Sequence, residues 1–196
     1  MNRTVIRTCA LGALAAGLAA CAAPGKAPEP AAPTFALKNA GFETAPDPQR
    51  PCALGWDCTM HANPQAFRFF HEERSPAGGK RSFCIEPLTN EPWALVTQGI
   101  HKPSFAGATV RFSIAVRVEG ASGGAGPWLL IQVPAGRNIH HQKLVTGTQG
   151  WQRVTLQVDV PGDAQIIELG GTLEGGGRAC FDDARVELVA SSKNPV

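Results

Sequence analysis

The chain has 196 residues, of which 43% are hydrophobic and 17% are charged. Its formal net charge is +2, so it lacks the strongly basic surface that nucleic-acid-binding proteins need. Its 22 glycines and 16 prolines predict many turns, and no long segment shows the periodicity of a helix.

The first 20 residues have the layout of a secretory signal peptide. Two arginines precede a run of small and apolar residues over 10–20, which is too short to span a bilayer as a helix. The run ends in LAAC at 18–21, which resembles a bacterial lipobox. The resemblance implies cleavage before Cys21 and a diacylglycerol on its sulfur, and Ala22 implies transport to the outer membrane. An ordinary signal peptide with an incidental cysteine is the alternative.

Residues 21–34 are rich in alanine and proline and cannot bury a core, so we expect an extended tether. The tether would hold a domain at the cell envelope, facing the periplasm or the exterior. We expect one domain over 35–190, followed by a short tail at 191–196. Cleavage would also remove both arginines of the signal and leave a formally neutral chain.

Four cysteines remain once the signal peptide is removed and Cys21 is lipidated. An even number in an oxidising compartment predicts two disulfides, and three pairings are possible. We expect Cys52–Cys58, which share a short loop, and Cys84–Cys180, which would tie an early strand to the last. The C-x5-C spacing of the first pair disfavours zinc, which needs tighter CxxC spacing.

The rest of the chain alternates between apolar and polar residues as antiparallel strands do. The clearest case is TVRFSIAVRV at 109–118, in which every second residue is hydrophobic. Further strands are expected over 35–43, 66–71, 81–86, 93–100, 128–133, 152–160, 165–173 and 179–189. The glycine-rich residues 120–126 are expected to form a loop, and 137–150 a polar excursion. Many strands joined by Gly/Pro turns, without crossover helices, predict an all-β fold, a two-sheet antiparallel β-sandwich.

Three short motifs resemble the galactose-binding-like jelly roll of carbohydrate-binding modules of the four/nine type. They are NAGFE at 39–43 followed by Gly55-Trp56, then Gly147-Thr148 with Trp151 and Val160-Pro161, and last GGGRACFDDARV at 175–186. The resemblance implies a jelly roll and core positions for the two tryptophans. It implies sugar binding less strongly, because one fold can serve many functions.

The last predicted strand contains an acid on its apolar face. Strict alternation places Asp182 beside Cys180, Ala184 and Val186, where a bare carboxylate is costly. The resembling family has a structural calcium between an opening Glu and a closing Asp, which are Glu43 and Asp182 here. The alternative is that Asp182 or Asp183 accepts backbone amides or binds Arg185, without a metal.

The same alternation conflicts with the second disulfide. If Phe83 and Ile85 point inward, then Cys84 points outward while Cys180 points inward. Either a bulge near Asp182 shifts the phase of the strand, or the cysteines pair differently.

The ligand residues are expected among the aromatic side chains that the core does not use. Sugars stack on flat aromatic rings while polar side chains bind their hydroxyls. We expect Trp93 and Phe70 to bind the ligand, with Gln98 and His140 as polar partners. Trp128 is a further candidate if it lies on a concave face with them.

No catalytic motif is recognisable in the sequence. It lacks G-x-S-x-G, H-E-x-x-H and a phosphate loop, and Asp182 and Asp183 would diverge on a strand. We therefore expect a non-catalytic envelope lipoprotein that binds a carbohydrate or a similar polar ligand. The alternative is a structural or adaptor lipoprotein that binds an envelope protein and no sugar.

Overall fold

The structure is a computed structural model that describes residues 33–44 and 47–189. The described residues contain one short 3-10 turn, at Pro134–Gly136, and no helix that is long and apolar enough to cross a membrane. The ten strands are β1 (Thr34–Phe35), β2 (Asp57–Met60), β3 (Phe67–Glu72), β4 (Ser82–Pro87), β5 (Trp93–His101), β6 (Thr109–Gln132), β7 (Asn138–Gln142), β8 (Val145–Asp159), β9 (Ile166–Glu174) and β10 (Arg178–Val189).

Two antiparallel layers share the long strand β6. In sheet 1, the first half of β6 pairs with β8 and β10, and β10 continues through β4 to the edge strand β3. The short β1 pairs with the far end of β10. In sheet 2, the second half of β6 pairs with β7 and β9, and β9 continues through β5 to β2. The prediction of an all-β, two-sheet antiparallel β-sandwich is confirmed.

The core lies between the two sheets. On β6 the alternating residues of 110–118 are fully buried, as the sequence pattern predicts. Phe181 of β10 crosses the core to sheet 2, where its ring lies 2.6 Å from the place that a Cβ on Gly171 would occupy. A side chain there would collide with the ring, so the glycine is needed for the two sheets to close.

The predicted loop over 120–126 is wrong, because β6 runs through it without a break. Gly120 and Gly124 adopt φ values of 62° and 106°, which let the strand bend from sheet 1 into sheet 2. Ala121 and Ala125 remain buried in the bend. The glycines therefore bend a continuous strand instead of ending it.

Two further expectations are corrected by the structure. The polar excursion over 137–150 contains β7 and the start of β8, because the alternating polar residues of β7 form an edge strand. The predicted strand over 35–43 is reduced to Thr34–Phe35. Asn39 and Phe42 have φ values of 46° and 54°, which a regular strand does not accommodate.

Both expected disulfides are present, Cys52–Cys58 and Cys84–Cys180. Cys84 and Cys180 are directly opposite each other on β4 and β10, and both point away from the core. A register shift between Asp182 and Arg185 marks a β-bulge, in which Asp183 has a φ of 47°. The bulge resolves the conflict in alternation. The expectation that Cys180 shares the face of Ala184 is therefore wrong.

Candidate functional site

The outer face of sheet 2 contains an open groove with a volume of about 210 Å³. Four neighbouring strands of the sheet contribute its walls. The lining residues are Trp93 and Leu95 from β5, Thr172 and Glu174 from β9, Trp128 from β6, and His140 and Gln142 from β7.

Strand alternation directs these side chains away from the core. Trp93 and Leu95 alternate with Ala94 and Val96, both of which are fully buried. Across β9, the residues of β6 that face Glu174 and Thr172 are Gly124 and Gly126. Since glycine has no side chain, no atoms project from β6 at these two positions, and the groove stays open there.

The two tryptophans of the groove are half-buried and held by neighbours. The ring of Trp128 lies 5.4 Å from the ring of His140, between centroids. His61 meets Trp93 edge-on at 5.9 Å, and its Nδ1 lies 3.1 Å from Oε2 of Glu91. Positioned indoles of this kind present flat apolar surfaces to a ligand without ordering long flexible side chains.

The polar wall of the groove is built by Gln142 and Glu174. Nε2 of Gln142 donates a hydrogen bond of 3.0 Å to Oε1 of Glu174. The other carboxylate oxygen, the amide oxygen and the imidazole of His140 can accept or donate further hydrogen bonds. The groove thus combines aromatic faces with a few convergent polar groups, which is typical of small-molecule sites.

The structure brings Trp93 and His140 together, but it does not bring Gln98 to them. Gln98 is only 8% exposed and points to the N-terminal segment. Its Oε1 accepts from the backbone N–H of Lys38 at 3.0 Å, and its Nε2 donates to the carbonyl of Lys38 at 2.6 Å. Gln98 therefore fastens the chain before residue 40 to β5 and does not line the groove.

Phe70 also lies outside the groove, on the outer face of sheet 1. The guanidinium of Arg68 lies 4.5 Å from the centroid of its ring, and that of Arg178 lies 5.7 Å from it. Both arginines are also paired with Glu86. The expectation that Phe70 and Trp93 bind one ligand together is therefore wrong, because the two side chains are on different sheets.

Of the two tryptophans placed in the core by resemblance, one is there. Trp56 is 5% exposed and stacks on Phe42 at 4.7 Å. Trp151 instead lies on the outer face of sheet 1, where Nε1 donates to the carbonyl of Ser75 at 2.7 Å. Its ring lies 5.2 Å from the guanidinium of Arg117. Strand alternation alone places it there, because Val154, Leu156 and Val158 of β8 point into the core.

Below Trp151, an ion pair covers the second disulfide. Nη2 of Arg117 lies 2.6 Å from Oε2 of Glu72, and both side chains are mostly buried. Within the described residues, Glu72, Cys84 and Cys180 form the one group of three side chains with metal-ligand spacing. The two sulfurs are joined in a disulfide, so the group does not offer thiolates to a metal.

Asp182 and Glu43 both bind backbone amides of the loop at 73–81. Oδ2 of Asp182 accepts from the N–H groups of Ala77 and Gly78, each at 2.9 Å. Oε1 of Glu43 accepts from Lys80 at 2.9 Å. Burial raises the pKa of Asp182, and the amide hydrogen bonds oppose this shift.

The surroundings of these two carboxylates suit amides better than a cation. Calcium prefers six to eight oxygen ligands, whereas the groups that face Asp182 and Glu43 are N–H donors. Calcium at this pair stays a prediction, and a thermal melt with and without a chelator tests it. A bound ion would be seen as a lower melting temperature in the chelator.

Sequence reasoning missed Gln142, Thr172 and Glu174, and treated Trp128 only as a further candidate. The polar alternation of β7 was the available signal for Gln142, since Ile139 and His141 alternate with exposed residues there. Nothing in the sequence showed that β5 and β7 belong to one sheet, or that their groove-lining side chains point to the same face of it.

No protein-family model matches the chain, and no curated protein matches its sequence. Several solved structures are similar in fold. The C-terminal family 22 carbohydrate-binding module of Clostridium thermocellum Xyn10B has a TM-score of 0.56 and 17% identity, over 79% of this chain and 93% of that one. A family 61 module, solved with β-1,4-galactotriose, has a TM-score of 0.55 and 17% identity, over 78% and 97%.

A family 4 carbohydrate-binding module is similar to the same extent. Its TM-score is 0.53 at 16% identity, over 79% of this chain and all of that module. Identities this low establish a shared architecture and leave the ligand open. The chain therefore has the jelly-roll fold of carbohydrate-binding modules, with an aromatic groove on the outer face of sheet 2.

Proposed function

We propose that this protein is a non-catalytic carbohydrate-binding protein and that the groove on sheet 2 is its binding site. The observation that carries the proposal is the presence of two half-buried tryptophans, Trp93 and Trp128, on one open face. Similar structures described as a xylan-binding domain and as a galactotriose complex support a glycan as the ligand class.

The groove would bind both the apolar faces of the sugar rings of a glycan and the hydroxyl groups at the edges of those rings. Trp93 and Trp128 lie on strands separated by β9, about 10 Å apart across the sheet, and they face positions on β9, Glu174 and Gly170, that are four residues apart. Two rings that are offset in both directions suit an oligosaccharide better than a single sugar. Gln142, Glu174 and His140 would then bind hydroxyl groups along one edge of the ligand.

The same groove supports binding rather than cleavage. Most glycosidases need a pair of carboxylates on either side of the scissile bond. Among the described residues, Glu174 is the one carboxylate that lines the groove. Asp182 and Asp183, on the other sheet, are engaged with backbone amides and with arginines.

Glycan binding is tested by a glycan array followed by calorimetry on the purified protein. We expect Trp93→Ala and Trp128→Ala each to weaken binding about tenfold or more, because a stacked ring loses its apolar partner. Phe70→Ala is the matched control, since it removes a half-buried aromatic from the other sheet, and it should bind normally. A silent array, together with a co-purifying envelope protein, would favour the adaptor function instead.

We also propose that the protein is a lipoprotein of the outer membrane, held by Cys21 and the tether at 21–34. The support is the sequence LAAC at 18–21, and the residues up to 32 lie outside the described part of the chain. In the bacterial host, Cys21→Ala should move the protein from the membrane fraction to the soluble fraction, because the acyl chains provide the attachment. Retention of the variant in the membrane would contradict the anchor.

A further inference from the structure

The groove carries an unbalanced negative charge. No lysine or arginine is among its lining residues, and Glu174 provides its carboxylate. In the part of the chain that the structure describes, the partner of this carboxylate is the neutral amide of Gln142, at 3.0 Å. A half-buried carboxylate without a counter-ion attracts a positive charge more strongly than a fully hydrated one does.

Trp93 is the cross-strand neighbour of this carboxylate. The two residues are directly opposite each other in the register of β5 and β9, so their side chains leave the sheet on the same face. The face of an indole attracts cations through its π electrons. A cation at this position is therefore favoured both by the carboxylate of Glu174 and by the ring of Trp93. The carboxylate of an acidic sugar would be repelled by Glu174 and would not be attracted by the face of the ring.

We propose that the glycan bound in this groove carries a protonated amine, as a hexosamine with a free amino group does. The inference rests on the proposed function and narrows its ligand class. The amine binds the carboxylate of Glu174, and the sugar ring that bears it stacks on Trp93. A neutral glycan would use Glu174 only as a hydroxyl acceptor, a task that an uncharged amide performs as well.

Glu168 provides a matched control on the same strand. It lies on the same face of β9 as Glu174, and it accepts a hydrogen bond of 2.9 Å from Nε2 of Gln132, much as Glu174 accepts one from Gln142. Glu168 does not line the groove. The two glutamates therefore share charge, strand and type of partner, and differ in whether a ligand in the groove reaches them.

The test compares two β-1,4-linked oligosaccharides of equal length, one of glucosamine and one of glucose, by calorimetry at low salt and mildly acidic pH, at which the amines of the glucosamine oligomer are protonated. We expect the glucosamine oligomer to bind about fivefold to tenfold more tightly, from one ion pair and one cation–π contact. Glu174→Gln should remove this preference, so that the two oligomers bind with nearly equal affinity. Glu168→Gln should retain the preference.

Each contrary outcome has a distinct meaning. Equal affinity of the wild type for the two oligomers, or an equal loss of both affinities in Glu174→Gln, overturns the amine, while glycan binding stands as long as Trp93→Ala still weakens it. A preference that Glu174→Gln and Glu168→Gln reduce equally is a general attraction to the protein surface and also overturns the inference. If no glycan binds at all, the proposed function fails and the inference fails with it.

Discussion

Asp182 places a carboxylate where solvent barely reaches it. Its side chain is 1% exposed, yet it does not enter the apolar core. The bulge at Asp183 turns it to the outer face of sheet 1, where the loop at 73–81 covers it and supplies amide donors. The N–H groups of this short polar loop satisfy the carboxylate.

Replacing Asp182 should therefore loosen that loop. We expect Asp182→Ala to lower the free energy of unfolding by about 2 kcal/mol, because the N–H groups of Ala77 and Gly78 lose their acceptor. Urea unfolding measures the change. Asp183→Asn is the control, since its arginine partners are solvent-accessible and such pairs contribute about 1 kcal/mol or less. Equal losses in the two variants would contradict this account.

His71 is expected to make the stability of the fold depend on pH. Both of its ring nitrogens are buried without a hydrogen-bond partner in the described residues, and the ring meets Phe83 edge-on. Burial first, and Arg81 second, lower the pKa of His71, while Glu43 and Glu73 oppose the shift. The unfolded chain thus takes up the proton at a higher pH than the folded one, near about pH 6.5. Stability is complete above that pH and is lost as the pH falls through the lowered pKa.

This linkage predicts a difference between two variants. The melting temperature of the wild type should fall between about pH 7.5 and about pH 5, and His71→Phe should fall less, because it has no proton to bind. The exposed His101, changed to Gln, should leave the slope as in the wild type. An acid slope that is the same in His71→Phe and the wild type would show that other groups cause it.

At the scale of the element, β6 is held in two sheets by glycines that the sequence presents as a loop. A Cβ on Gly126 would lie 1.9 Å from the carbonyl oxygen of Lys143, on the chain between β7 and β8. The strand can approach that backbone only without a side chain. The groove depends on this approach, since it brings β7 with His140 and Gln142 against Trp128.

Gly126→Ala should consequently be costly. We expect a loss of about 2–3 kcal/mol in the free energy of unfolding, because the added methyl group forces the two backbones apart. Gly150→Ala is the matched change on β8, where no atom lies within 4 Å of the added methyl group, and it should be nearly neutral. Unaltered stability of Gly126→Ala would mean that the close approach is not needed.

The same strand shows what the sequence could and could not predict. Residues 109–118 were predicted because their alternation is local. The continuation to Gln132 was not, because its pairing with β7 and β9 compensates for residues that usually end a strand. Gln98 was misplaced for a similar reason, since its partner, Lys38, is 60 residues away in sequence. Trp93 and His140 were chosen from the sequence by residue type alone. That both lie on the outer face of sheet 2 depends on the order of strands in that sheet, which the sequence does not show.

At the scale of the whole molecule, the two disulfides close loops of very different length. Cys52 and Cys58 are six positions apart in the sequence, and Cys84 and Cys180 are 96 positions apart. A cross-link lowers the entropy of the unfolded chain more when the loop is longer. The second bond joins β4 to β10, and thus an early part of the sandwich to its last strand.

Removal of the two bonds should differ accordingly. We expect the pair of changes Cys84→Ala and Cys180→Ala to cost about 5 kcal/mol, and Cys52→Ala with Cys58→Ala about 2 kcal/mol. Chemical denaturation of the two double variants measures the difference. The reverse order would show that local packing around each bond outweighs the length of the loop that it closes.

The passage of β6 through both sheets also determines how the sandwich can open. The first half of β6 is hydrogen-bonded in sheet 1 and the second half in sheet 2. Neither sheet can therefore unfold without disturbing a strand of the other. Amide protons in the two halves of β6 should therefore show nearly equal protection from hydrogen exchange, because both exchange only through global unfolding. Amide protons of the edge strands β2 and β3 should exchange faster, through local opening. One shared strand makes the two layers a single cooperative unit.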